Sequence, residues 1–303
     1  MKAPSAVSPR KRVRRIAIPL LLLLVACDGA DGRQAQETQT ERVVSVSKQL
    51  NEFLYAIGAE DGLVARDLSS VYPPAIQELP SVGYHRALSA EGILSMRPTL
   101  LLTDGHDGPQ GVLDQVRSVG VPVLVLEPGS TVESAQEMLA RLGERFGREE
   151  AADSVLTEWK AGMKGVRAGS AGCSDGSRPR VLLMHFGRLI NNYLAVTRGG
   201  AADRMIRWAG GENAVDSIGG MRRITPELIA RAAPDVIIAT DFGFDRLGSA
   251  EEFRTVPGVG LTPAGQNGRI YRIEETEIIY FGPRTPGTVA KLRKMICGTA
   301  PAT

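Results

Sequence analysis

Aromatic side chains are scarce in this sequence, at 5%, which argues against a stacking platform for single-stranded nucleic acid. Histidine is rarer still. His85, His106 and His185 are the only three, and none stands at the spacing of a structural zinc site. No apolar run reaches the ~20 residues of a membrane-spanning helix. No G-x-G-x-x-G follows a strand, and no Walker loop or H-E-x-x-H occurs, so the enzyme classes that use them find no support. Net charge is small, with 36 Lys+Arg against 34 Asp+Glu. Six of those cations and no acid lie in residues 1–26, so the rest of the chain is net acidic by four. A basic nucleic-acid footprint is thereby excluded. What remains is ordinary globular composition, 43% hydrophobic and 23% charged over 303 residues, enough for two domains of ~100–150 residues.

The first 26 residues have the form of a secretory signal. A basic stretch is followed by the 11-residue run IAIPLLLLLVA (16–26). Leu24-Val25-Ala26-Cys27 resembles a bacterial lipobox, which predicts a lipid-anchored N-terminus at Cys27; an ordinary cleaved signal is the alternative. Residues 27–41 are polar and read as a flexible tether. Asp28 behind the lipidated cysteine points to retention at the inner membrane of a two-membrane envelope. Exposure to an oxidising compartment permits a disulfide between Cys173 and Cys297, with two unpaired thiols as the other outcome.

Beyond the tether the pattern alternates between strand and helix. RVVSVS (42–47), TLLLTD (99–104), VPVLVLE (121–127), RVLLMHFG (180–187), PDVIIATD (234–241) and RIYRI (269–273) read as strands. Helical periodicity runs through 48–57, 109–119, 131–147, 150–168, 201–209 and 286–297. The alternation predicts an α/β fold with largely parallel sheet. The Gly/Ser-rich stretch 169–179 interrupts it. The expected organisation is an N-terminal α/β lobe (42–147), a linking helix (148–170) and a C-terminal α/β lobe (171–303).

An internal repeat supports two similar lobes. Shifted by 136 residues, VGYHRALSAEGILSMRPTLLLTD (82–104) falls on IGGMRRITPELIARAAPDVIIAT (218–240). Gly83 meets Gly219, Arg86 meets Arg222, Glu91 meets Glu227, Ile93 meets Ile229 and Pro98 meets Pro234. Ser89 and Thr225 take the N-cap position of each helix. Tyr84 meets Gly220, so one lobe carries a side chain where the other leaves space. Two lobes joined by a long rigid helix predict a ligand cleft between them.

Leader, duplicated lobe and linking helix together resemble the substrate-binding lipoproteins of ABC importers, in the helical-backbone cluster that serves cobalamin, siderophores and haem. Segments 64–98, 201–215 and 257–286 are similar to periplasmic haem-binding proteins, the Gly-Tyr-x-Arg-x-Leu-Ser-x-Glu string at 83–91 most specifically. The resemblance implies a monomeric, exported carrier that captures haem and hands it to a permease and its ATPase. It implies Tyr84 as an axial ligand of ferric haem, with Arg86 associated. It also implies that Glu91 and Glu227 dock the permease. A helix-dipole role explains those two acids equally.

A phenolate is a hard anionic oxygen suited to Fe(III). His185, at the C-terminal edge of a predicted strand, and His85, beside Tyr84, are candidate second ligands; His106 reads as a loop residue. Arg86, Arg222 and Arg223 are candidate partners for the haem propionates, with Arg188 and Arg198 weaker ones. Met184, Met221, Tyr193 and Phe242 are candidate porphyrin contacts, each equally at home in the core. A siderophore or cobalamin carrier of the same cluster is the alternative cargo, and a lipid-anchored envelope enzyme the alternative class.

Overall fold

The structure, a computed structural model, describes residues 41–106, 108, 111–168, 172–187 and 192–298. Cys27 and the leader lie outside these residues. Strand β1 (Val43–Ser45), buried throughout, leads into helix α1 (Lys48–Ala56), whose N-cap Ser47 accepts from the Leu50 amide. Then come β2 (Leu63–Arg66), α2 (Ala90–Ser95), β3 (Leu100–Thr103), α3 (Val112–Ser118), β4 (Val123–Val125) and α4 (Val132–Phe146). The four strands are parallel in the order β2-β1-β3-β4.

Helix α5 (Glu149–Ala168) links this lobe to the next. The second lobe runs β5 (Arg180–Gly187), β6 (Asn192–Val196), α6 (Ala201–Trp208), β7 (Glu212–Asn213), β8 (Met221–Arg223), α7 (Pro226–Ala232), β9 (Val236–Thr240), α8 (Asp241–Asp245), α9 (Ala250–Phe253), α10 (Pro263–Gln266), β10 (Ile270–Ile273), α11 (Glu275–Ile278) and α12 (Thr285–Cys297). Strands β7-β5-β9-β10 are parallel neighbours, which reproduces the order of the first sheet. The chain is therefore two similar α/β lobes joined by a long helix. The local geometry repeats as well. Ser89 and Thr225 both cap with their hydroxyls. The two non-glycine residues with positive φ among the described residues, Arg97 (49°) and Ala233 (42°), are themselves 136 apart. Each ends its helix just before Pro98 or Pro234, since a proline disfavours α geometry in the residue before it.

The lobes differ by an insertion. β5 is eight residues long, and its second half pairs antiparallel with β6, which pairs with β8. Sequence periodicity missed this added pair, as it missed the short β2, because strands of three to five residues carry too little pattern.

Buried side chains of α5 — Ala152, Leu156, Trp159 and Met163 — share one apolar cluster with Leu50, Phe53 and Leu102 of the first lobe and Leu183, Ile238 and Leu292 of the second. Gly162 admits α12 at close range, since a Cβ there would fall 2.7 Å from Pro286 Cγ. Cys173 and Cys297 are bridged, with Cα atoms 5.4 Å apart. That ties the start of the second lobe to the end of α12.

Polar contacts also cross between lobes. Glu52 of α1 is 4% exposed. Its carboxylate accepts from Arg284 Nε (2.9 Å), Arg284 Nη2 (2.6 Å) and the Tyr280 hydroxyl (2.9 Å). Arg284 in turn lies 3.5 Å over the Tyr72 ring. Burial, with Glu52 beside it, pushes the Tyr280 phenol well above its ordinary pKa. Lys48 pairs with Glu275 at 2.5 Å, and Gln49 Nε2 donates to Phe281 O at 2.9 Å.

Removing one partner of a buried pair strands the other charge. Glu52→Gln is expected to destabilise the protein by about 3 kcal/mol in urea titration. Reducing Cys173–Cys297, 124 residues apart, frees a long loop. It is expected to cost up to about 5 kcal/mol in the chain-entropy limit, read as a lower thermal midpoint under reductant.

Candidate functional site

α1 begins at the C-terminal end of β1, and its first two turns touch the 275–284 segment that follows the C-terminal end of β10. The C-terminal edges of both sheets therefore face one boundary, the edge at which open α/β sheets place ligands. Tyr84 stands on the first edge. Val82 N donates to Arg66 O and Leu68 N to Gly83 O, carrying the chain alongside and past β2. Gly83 adopts φ 108°, a turn that glycine permits. Ala87 N closes onto Tyr84 O at 2.7 Å. The Tyr84 ring is half-buried, edge-on to His85 at 4.5 Å between centroids. Its phenolic oxygen has no hydrogen-bond partner among the described residues. At the repeat-related Gly220, φ is 80° and an added Cβ would meet nothing within 4 Å. Space replaces the side chain there.

Beneath Tyr84 lies a polar relay that sequence reading did not find. Asp67 is fully buried. It accepts from the Ser69 amide (2.8 Å) and from the hydroxyls of Ser69 and Ser70. With its proton given to Asp67, the Ser69 oxygen accepts from His85 Nδ1 at 2.7 Å. His85 Nε2 is then the acceptor facing Arg86 Nε at 3.3 Å. Arg66 fastens the same loop by donating to the carbonyls of Asp67 and Ser70. The string Asp67-Leu68-Ser69-Ser70 directly after a strand was the available signal. Burial, with Lys48 and Arg86 nearby, pushes the His85 pKa down against the opposing pull of Asp67. His85 is thus engaged beneath Tyr84, while exposed Leu68 stands beside it.

His185 follows Met184, the last residue of β5 paired with β9, and so stands on the second edge, half-buried, its Nδ1 3.1 Å from the Thr240 hydroxyl. Along β5, Leu182 and Met184 belong to the core under α7, and Val181 and Leu183 to the core under α6 and α12. Strand alternation puts His185 on the latter side. Of Arg222 and Arg223, which lie on the edge strand β8, register sets Arg222 across from Ala195 on the α7 side, where it lines a groove, and Arg223 across from Leu194, the partner of His185, on the face that carries His185. The cause is the added β6, which draws what would be a loop into the sheet. Arg198 is paired with Asp216 at 2.7 Å, and Arg188 lies outside the described residues. Met184 is core, 1% exposed. Tyr193 donates to Gly243 O and packs on Phe186, as Phe242 also does. Met221 is exposed. His106 is largely exposed beside Asp104. Glu91 and Glu227 are exposed in the first turns of α2 and α7. The Thr225 hydroxyl holds the Glu227 carboxyl below its usual range. The glycine turn ahead of α6 is filled by its own Asp203, which accepts from Gly199 N. Gly172-Cys173-Ser174-Asp175-Gly176 spells a hydrolase-like G-x-S-x-G. It forms a turn between α5 and β5 with Cys173 in the disulfide, not the strand-to-helix elbow that chemistry needs.

Two α/β lobes on a shared helix, with the C-terminal strand edges turned to one boundary, are the architecture of a ligand-binding protein of the helical-backbone type. Residues 43–276 match the family described as periplasmic binding protein, and the chain belongs to that family. Curated relatives include vitamin B12-binding proteins. That of Photorhabdus laumondii is 33% identical over 117 residues, 39% of this chain and 42% of the relative. That of Yersinia pestis is 27% identical over 202 residues, 66% and 69% of the two chains. The match thus spans less than half of the first relative's length. Among solved structures, periplasmic heme-binding protein BhuT in complex with two hemes is 33% identical with a TM-score of 0.75, covering 85% of this chain and 98% of that one. RhuT from Roseiflexus sp. RS-1 in apo form is 30% identical, TM-score 0.77, with the same coverage. HutB of Vibrio cholerae is 27% identical, TM-score 0.71, covering 84% and 98%.

A histidine whose folded pKa lies below its unfolded value takes up protons later than the unfolded chain does. Stability therefore falls as pH drops below 6.5. The thermal midpoint of the wild type is expected to fall more steeply over that range than that of His85→Asn.

Proposed function

We propose that the protein captures haem outside the cytoplasmic membrane, in the crevice between its lobes, and delivers it to an ABC permease and its ATPase. Tyr84 supplies the iron-ligating phenolate, Arg86 meets a propionate, and His185 is the ligand offered from the opposite edge. Cys27 carries the lipid anchor. Glu91 and Glu227, one on each lobe, are the acids presented to the permease.

The observation that carries this reading is the unpartnered phenolic oxygen of half-buried Tyr84, set beside a buried polar relay on one lobe's strand-end edge. Similarity to periplasmic heme-binding proteins of known structure at 27–33% identity supports it. Leu68 beside Tyr84, and Ile218 and Met221 on the repeat-related loop, are exposed apolar side chains of the kind a porphyrin face covers. Cobalamin is the second reading, supported by the curated relatives.

Titration with haemin, followed by visible spectroscopy, separates the two. The wild type is expected to develop a ferric–phenolate charge-transfer band. Tyr84→Phe should lose it and bind haemin about tenfold or more weakly. A spectrum identical in the two proteins removes Tyr84 as ligand. Cobalamin binding that survives Tyr84→Phe, with no response to haemin, selects the second reading.

A further inference from the structure

A groove of about 420 Å³ lies on the α7 side of the second lobe. Ala195, Ile224 and Leu228 give it an apolar floor, and Arg180, Arg222, Arg223 and Arg231 stand around it. Arg180 is committed: it donates to the carbonyls of Ala232 and Ala214 and pairs with Glu212. Asp216, on the rim, is held by Arg198. Arg222, Arg223 and Arg231 enter no ion pair or side-chain hydrogen bond among the described residues.

Leu228 is the exposed large apolar side chain on the groove's own lining. A second exposed one, Leu261 (73%), lies on a segment packed against α7. Leu261 belongs here because its segment packs on the start of α7, where a Cβ on Gly258 would strike the Pro226 carbonyl. The duplication shows that this is no shared property of the scaffold. The first-lobe positions matching Leu228 and Arg231 are Gly92 and Ser95.

We propose that this groove docks an acidic, amphipathic segment of the membrane permease, one whose carboxylates reach the free arginines while its apolar side chains cover Leu228 and its neighbours. The inference rests on the delivery role proposed above. Guanidinium forks match carboxylates bidentately, and arginine beside exposed apolar side chains is the composition of protein interfaces. A small free anion leaves Leu228 and Ile224 uncovered. An anionic bilayer is disfavoured because the chain beyond residue 26 is net acidic and Glu227 projects from the same helix. The crevice ligand is served from the other side of the sheet, where His185 lies. Charge here runs opposite to that of Glu91 and Glu227, so the second lobe offers a permease both signs and its orientation is set by complementarity.

The test compares the lipid-anchored full chain with Arg231→Glu and Leu228→Ser, each binding the detergent-solubilised permease–ATPase complex in biolayer interferometry. Haemin titration of the same proteins is the control. Arg231→Glu is expected to weaken complex binding about tenfold and to blunt its sensitivity to salt. Leu228→Ser should weaken it with salt sensitivity kept, and haemin binding should be unchanged in both. Wild-type complex affinity in both variants overturns the proposal, as does lost haemin stoichiometry or altered self-association in Arg231→Glu. A wild type that binds no haemin sinks the cargo reading alone, because the complex affinities read the groove by themselves.

Discussion

One apolar core threads both halves of the molecule, and α5 is the element that makes it continuous. Leu156, Trp159 and Met163 reach into side chains of both sheets at once. Moving one lobe against the other would expose part of that core, at about 25 cal/mol per Å² of apolar surface. The Glu52–Arg284–Tyr280 cluster adds directional contacts across the same boundary, and the Cys173–Cys297 bridge closes the second lobe beneath it.

Within this support, symmetry and asymmetry divide the labour. Helix caps, pre-proline geometry and sheet order repeat between the lobes because the same local sequence rules act twice. The chemistry does not repeat. Tyr84 with its Asp67–Ser69–His85 relay belongs to the first lobe, and the arginine groove to the second. The added β6–β8 pair explains how the second lobe acquired its own surface. It converts a repeat loop into an edge strand and turns Arg222 to the α7 side. A duplicated fold can thus carry different surface chemistry on each copy without changing its core.

Much of the fold was legible in the residues themselves. Buried strands such as Leu100–Thr103 and Val236–Thr240 announce themselves as short apolar runs before a polar stop, and the amphipathic stripe of α5 is long enough to read. The 136-residue repeat located Tyr84 as the odd side chain in a matched pair. Less legible were the short strands and every contact that joins residues far apart in the chain: Ser69 with His85, Glu52 with Arg284, Leu228 with Leu261's segment.

Local physics, acting over a few residues, settled the element types, the caps, the duplication and the α/β class from sequence alone. Tertiary structure decided which way the repeat-loop side chains face. It also decided that His85 is tied down beneath Tyr84, and that the second-lobe arginines gather around a groove. Those outcomes depend on strand pairing and side-chain burial between distant segments, which no local pattern of residues encodes.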